Sequence, residues 1–284
     1  MTVPVDLAPY GARPPDAFVR AILAFTRRLP ANGLGFRMST PYRRLAINWL
    51  NEQPVDTVLW NARMRLYPAR NSCEKNALFT PQAFDVIERN VLGAAIDSCV
   101  RASKRFTFVD IGANVGLYSL FVASRGGTHA RVLAVEPQPG IVERLMFNVR
   151  SNPGFDITVL PVAVTDREGE IDLVIQVRDR AGSHVDRGEA RAHDGERLRV
   201  PTRPLLALLA EANIAAIDAL KIDIEGAEDL ALAPFLRAAP PTLLPRIMLL
   251  EERPDWETDL YVLLRARGYV QAERSRFNLV FRMP

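Results

Sequence analysis

The eleven residues from Phe106 to Gly116, FTFVDIGANVG, limit what this chain can fold into more than any other stretch. Phe106 to Val109 are apolar or β-branched and lead to Asp110, a pattern that predicts a short buried strand. Gly112 and Gly116 bracket a tight turn, and Leu117 to Ala123 predicts the helix that follows. A strand that passes through a glycine turn into a helix N-terminus gathers free backbone N–H groups in one place. Such a place suits a nucleotide-like ligand.

The dinucleotide pattern is not met. Counted from Gly112, G-x-G-x-x-G needs glycine at 114 and glycine or alanine at 117, and the chain has Asn114 and Leu117. The second glycine lets bare backbone approach a pyrophosphate. A side chain at Asn114 obstructs that approach, whereas a ligand without phosphates does not need it. S-adenosylmethionine is such a ligand, and Asp110 with the turn can hold its amino acid end. A second predicted strand, Arg131 to Val135, ends on Glu136, twenty positions after Gly116. An acid at that point can accept both ribose hydroxyls. An α/β domain with two strand-end carboxylates and no ligand is the plainer alternative.

From Phe106 onward, strand and helix patterns alternate in the way that demands a parallel sheet. Pro139 to Arg150 predicts a helix, Ile157 to Pro161 a third strand, and Ile171 to Val177 an edge or hairpin strand. Arg178 to Arg203 is polar and structureless by pattern, either a solvated loop or a lid. Pro204 to Asn213 predicts a helix, Asp218 to Ile224 a fourth core strand, and Glu225 to Arg237 its helix. Arg246 to Leu250 is a fifth strand ending on Glu251, and Trp256 to Arg267 a further helix. Tyr269 to Glu273 and Phe277 to Met283 make a terminal antiparallel hairpin.

Before the sheet, residues 1 to 16 predict a leader and Ala17 to Leu29 a helix. Met38 to Asn51 is ambiguous, with a helix after Pro41 as one reading. Val55 to Trp60 and Arg63 to Tyr67 predict a hairpin turning at Asn61-Ala62. Thr80 as cap and Pro81 at the first helical position predict a helix running to Arg101. The chain thus divides into an N-terminal α+β addition, 1–100, either a substrate cap or a brace, and a ligand-binding domain, 101–284.

ALKIDIEGAE, Ala219 to Glu228, is the other chemically unusual stretch. If the strand persists, Lys221, Asp223 and Glu225 share one side of it, in a place normally apolar on both faces. Buried Lys221 and Asp223 need partners, which a mutual ion pair shared with Glu251 would supply. The same carboxylates also face the crevice where open α/β sheets bind ligands.

With VDIGANVGLYSL (109–120), AVEPQP (134–139), AVTDREGEIDL (163–173), AGSHV (181–185), LKIDIEGAE (220–228) and LLEE (249–252) in this order, the chain resembles the FkbM-type family of S-adenosylmethionine-dependent methyltransferases. The resemblance begins near Arg63. It departs at Arg203-Pro204-Leu205, where the family usually has a Leu-Asp pair. It implies a three-layer, Rossmann-like class I methyltransferase sheet, mostly parallel with a C-terminal antiparallel hairpin. It further implies that Asp110, Gly112, Ala113, Asn114 and Gly116 line the methionine end of the cofactor and that Glu136 holds the ribose. Ala163 to Asp166 would border the adenine, and Asp223, Glu225 and His184 would face the acceptor. Asp223 is the first candidate to take the acceptor proton or orient the acceptor, and His184 the second. Asp223, Glu225 and Glu251 carry the oxygens that Mg²⁺ prefers, but no spacing demands a metal and none enters the reading.

The expected reaction is O-methylation of a hydroxyl on a sugar, glycolipid or other small molecule. An RNA methyltransferase and a non-catalytic binding protein of the same fold are the alternatives. Against RNA, Asp223-Ile224-Glu225-Gly226 stands where an Asn-Pro-Pro-Tyr-like motif would, and 36 basic against 33 acidic residues is too balanced for a nucleic-acid binder. Cys73 and Cys99 match no zinc or redox spacing. A reduced, cytoplasmic setting without a membrane span is expected.

Overall fold

The computed structural model describes residues 5–176, 184–185, 195–253 and 256–284. α1 (Ala17–Thr26) starts at Asp16, whose carboxylate accepts from the Val19 N–H. α2 (Gly33–Leu50) runs from an Asn32 cap straight through Pro41, longer than the sequence pattern suggested. β1 (Val55–Leu59) and β2 (Ala62–Leu66) pair with Leu59 opposite Ala62. The turn is therefore Trp60-Asn61, one residue earlier than expected. Both turn residues have positive φ, 48° and 63°, the mirror-image turn that matches strand twist.

α3 (Ser72–Phe79) and α4 (Val86–Arg101) correct the reading of Thr80 as a helix start. Thr80 instead closes α3, its N–H and hydroxyl donating to the Asn76 carbonyl at 2.9 and 3.1 Å. Asp85 precedes α4 with φ 39° and does not cap it. Its carboxylate is engaged elsewhere, accepting from the Tyr118 hydroxyl at 2.8 Å.

The main sheet follows the expected plan. β3 (Phe106–Ile111), α5 (Leu117–Gly126), β4 (Ala130–Val135), α6 (Pro139–Arg150) and β5 (Ile157–Leu160) form its first half. A side sheet then intervenes, made of β6 (Ala163–Val164), β7 (Gly169–Gln176), β8 (His184–Val185) and β9 (Gly195–Arg203). α7 (Leu205–Glu211), β10 (Ala219–Ile222), α8 (Glu228–Ala238), β11 (Ile247–Glu251), α9 (Leu260–Ala266), β12 (Val270–Arg274) and β13 (Asn278–Arg282) complete the chain. The seven-stranded order is β12-β13-β11-β10-β3-β4-β5. β11 through β5 are mutually parallel, and β13 is antiparallel to both its neighbours.

Period-two alternation builds the layers. Phe106 and Phe108 join Leu92 and Ile96 of α4 and Phe121 and Val122 of α5. Val109 and Ile111 point the other way, into Leu208 of α7, Leu232 and Phe235 of α8, and Leu264 of α9. The chain reverses its winding between β3 and β10, and a crevice opens at the carboxyl ends of these two strands.

Two further expectations are corrected. Gly195–Arg203, expected as loop, is a nine-residue strand paired along its length with β7. Val200 and Thr202 are buried while Arg197 and Arg199 project outward, so alternation is present beneath the charge. The rest of the expected 178–203 lid, apart from β8, lies outside the described residues. β10 stops at Ile222, not Ile224, and Glu225 has φ 57°. Lys221, Asp223 and Glu225 are therefore not one face of a strand. The Glu228 carboxylate holds the turn, accepting from the N–H groups of Ile224 and Gly226 at 2.9 and 3.1 Å.

Gly112 makes this junction possible. Its φ is 75°, and a Cβ there would sit 1.9 Å from the Asp223 carbonyl oxygen. Gly154 also has positive φ but open space around it. Gly112→Ala should therefore cost roughly 3 kcal/mol or more and Gly154→Ala only about 1 kcal/mol in urea denaturation. Equal costs would contradict the close approach of the β3 turn to β10.

Candidate functional site

The turn after β3 is fastened to the end of β4 by its own backbone. Gly112 and Ala113 donate their N–H groups to the Val135 carbonyl at 2.9 and 3.0 Å. The Asn114 N–H donates to Glu136 Oε2 at 3.0 Å. Asn114 itself is left-handed, with φ 51°, a conformation asparagine tolerates. Its amide oxygen accepts from Val115 N–H and from the side chain of Asn71, both at 2.9 Å.

Asp110 and Glu136 consequently border one cavity, together with Gly112, Ala113, Asn114, Val162, Ala163, Asp223 and Glu225. Its walls span about 970 Å³ of space, open solvent at the mouth included. Its elements converge from β3, β4, the β5–β6 connection and β10. Asp110 is buried, with Oδ2 accepting from the Ser119 hydroxyl at 2.6 Å. No donor among the described residues reaches its Oδ1. Burial pushes the Asp110 carboxyl up, against the pull of Lys221. Glu136 accepts from the Asn114 and Gln138 N–H groups at 3.0 Å each. Burial nevertheless raises it to about 7.

Two expected cofactor residues stand apart. Gly116 does not line the cavity; a Cβ there would meet Leu145 Cδ1 at 2.6 Å, so it allows α5 to approach α6. Asp166 is exposed and also off the cavity wall. His184 has its backbone in β8, paired with Val174, and its side chain lies outside the described residues.

The opposite wall holds a charge network around Lys221, one of only three lysines in the chain. Lys221 Nζ donates to Asp223 Oδ2 at 3.0 Å and lies 5.1 Å from the centre of the Tyr118 ring. Burial opposes its charge, but Asp223 and Asp110 more than compensate and hold its pKa up. Burial also works against ionised Asp223, yet Lys221 and a hydrogen bond from Glu251 bring its pKa below the usual carboxylate range. Glu251 takes the opposite share, pushed up to about 9 by burial and then by the Asp223 charge. Asp223, Glu225 and Glu251 offer oxygens within 4.8 Å of one another and so could hold a cation. Arg253 already pairs with both Glu225 and Glu251, the latter at 2.9 Å.

Asp85 and Tyr118 are the residues that sequence reasoning missed. Both line the cavity. Burial, then the nearby Glu88 charge, raises the Asp85 carboxyl to about 6. Nothing local in the sequence marks Asp85, since it lies between two helices far from either motif. Tyr118 was within reach, as the polar aromatic in the first turn of the helix after the glycine turn.

The geometry can be set beside known proteins. The AMB antimetabolite synthetase AmbE of Pseudomonas aeruginosa is 29% identical over 157 residues, 42% of this chain. The chain spans only 7% of that relative's length. Among solved structures, the METTL16 MTase domain is 16% identical with a TM-score of 0.48, covering 96% of this chain and 92% of that one. The SAM-dependent methyltransferase from Agrobacterium tumefaciens is 12% identical with a TM-score of 0.46, covering 81% and 69%. The family model of the methyltransferase FkbM domain matches Asp110 to Val270, more than half of the chain. This match covers the β3 turn, the Glu136 strand end and the Lys221 network together, and the chain belongs to the methyltransferase FkbM family.

Proposed function

We propose that the chain transfers a methyl group to a hydroxyl oxygen of a sugar, glycolipid or other small molecule. One observation carries the placement of its cofactor: Asp110 and Glu136 border the same cavity, and Asp110 has a buried oxygen without a donor among the described residues. An orphaned carboxylate oxygen calls for a cation or a strong donor, which the amino acid end of S-adenosylmethionine provides. Asp110, Gly112, Ala113 and Asn114 would hold that end, and Glu136 the ribose hydroxyls. Ala163, flanked by Val162 and Val164, gives an apolar wall for the adenine. Bound there, the cofactor supplies a methyl group on a sulfonium.

The acceptor side falls to the Lys221 wall. Lys221 keeps Asp223 ionised, so Asp223 can accept a hydrogen bond from the acceptor hydroxyl and orient it, with Glu225 beside it. Asp85 suits the proton: a base with pKa about 6 is mostly ionised at neutral pH yet still basic enough to accept. Cys73, Phe84 and Asp85 bring the N-terminal part of the chain to the cavity wall. That supports residues 1–100 as a substrate cap over a methyltransferase domain, 101–284.

Three measurements bear on this reading. Asp110→Asn keeps the shape and removes the buried charge. It should weaken S-adenosylmethionine binding at least about tenfold, or ~1.4 kcal/mol, by calorimetry; unchanged affinity would remove Asp110 from the site. Transfer rate in the native protein should rise with pH through about 6 as Asp85 ionises. Asp85→Asn should lose that limb and fall on the order of a hundredfold in rate with cofactor affinity intact. A profile identical to the native one excludes Asp85 as the base. In a labelled-methyl screen of fractionated extract, label should enter glycan, lipid or small-molecule pools, and label confined to RNA would overturn the acceptor class.

A further inference from the structure

α2 turns most of its large apolar side chains outward, and only Ile47 and Leu50 near its end pack against the core. Toward the protein it buries Gly35, Ser39, Arg43 and Ala46, three small residues and a guanidinium. Toward solvent it carries Leu34, Met38, Tyr42, Leu45 and Trp49, spaced as one helical face. Leu34 is 62% exposed and Trp49 61%. α1 widens this face. Phe18 lies against Trp49 with ring centroids 5.0 Å apart, and Phe25 against Tyr42 at 4.6 Å. A helix that packs only to fill a core does the reverse, and a contiguous apolar patch of this kind marks a surface that is covered in use.

The charge around the patch narrows what covers it. Residues 17–51 contain six arginines and no aspartate or glutamate. The whole chain carries only +3, so everything outside this segment is net negative. Arg20, Arg28, Arg37 and Arg44 are exposed. Arg37 and Arg44 stand seven residues apart, on one line along α2 to the side of the apolar stripe.

We propose that the α1–α2 face seats the protein on a membrane surface rich in anionic lipid. The apolar stripe would lie at the headgroup–acyl boundary, with Trp49 and Tyr42 at the depth such rings prefer and the arginines reaching lipid phosphates. Two copies joined through this face would bring two sets of six arginines together against one acid each, Asp16, which accepts from the Trp49 indole N–H at 2.7 Å, and like-charge repulsion opposes that. A nucleic acid would meet the arginines but leave Leu34, Met38 and Leu45 without an apolar partner. Among the described residues, none of 17–51 lines the cavity, so the inference stands apart from the identity of the acceptor.

The test is flotation of the full chain with two vesicle preparations. One is phosphatidylcholine alone, and the other contains roughly one third phosphatidylglycerol to supply surface charge. The protein should float with the charged vesicles only, and raising salt to about 0.5 M should release it. Arg37→Glu with Arg44→Glu, and separately Leu34→Ser with Met38→Ser and Leu45→Ser, should each reduce binding on the order of tenfold or more. Thermal melting should be unchanged, because all five side chains are exposed. Absence of flotation at low salt overturns the proposal, as does equal binding by the variants. A stable dimer, or capture of an acidic protein, that these substitutions abolish while vesicle binding is lacking also overturns it.

Discussion

Three N–H groups of one turn, donated to the end of the neighbouring strand, set the geometry from which the site follows. Gly112 and Ala113 bond to Val135, and Asn114 bonds to the Glu136 carboxylate. These bonds fix the distance between the turn and the second acid without any ligand. Gly112 also brings the turn against the Asp223 carbonyl, where no side chain fits. The ends of β3, β4 and β10 are thereby held as one rigid rim, and site residues borne on such elements are positioned more sharply than residues on loops.

The rim concentrates charge that a core would not tolerate. Asp110, Glu136 and Lys221 are all buried, and Asp85 lies close by. Isolated, each would cost several kcal/mol. Lys221 offsets part of this by pairing with Asp223 and lying beside Asp110 in the β3–β10 register. Asp110 Oδ1 has no hydrogen-bond donor among the described residues. Retaining an unpaired acceptor in a wall that is otherwise hydrogen-bonded is a stability cost expected of a binding site rather than of packing.

The sequence displayed the parts of this arrangement that depend on neighbours along the chain. Gly112 and Gly116, the alternation of Phe106 to Ile111 and the acid after Val135 are local signals, and they gave the strand–turn–helix, Glu136 and the sheet plan. The misses have tertiary causes. Thr80-Pro81 has the chemistry of a helix start, but Asn76 already holds Thr80 and Tyr118 holds Asp85, so α4 begins later. Trp60 is not a residue that advertises positive φ, which displaced the hairpin turn by one. β9 hid its alternation under arginines. Lys221 and Asp223 did form the ion pair their spacing suggested, but through a turn after Ile222 rather than along a strand. Asp85 reaches the cavity by a contact no single-sequence pattern encodes.

A structure of the protein with S-adenosylhomocysteine would probe the account at its root. The ribose hydroxyls should lie on Glu136, the amino acid end beside Asp110 and Asn114, and the adenine against Ala163. An adenosyl group bound away from the Asp110–Glu136 rim, or a cavity that stays empty at saturating ligand, would contradict it.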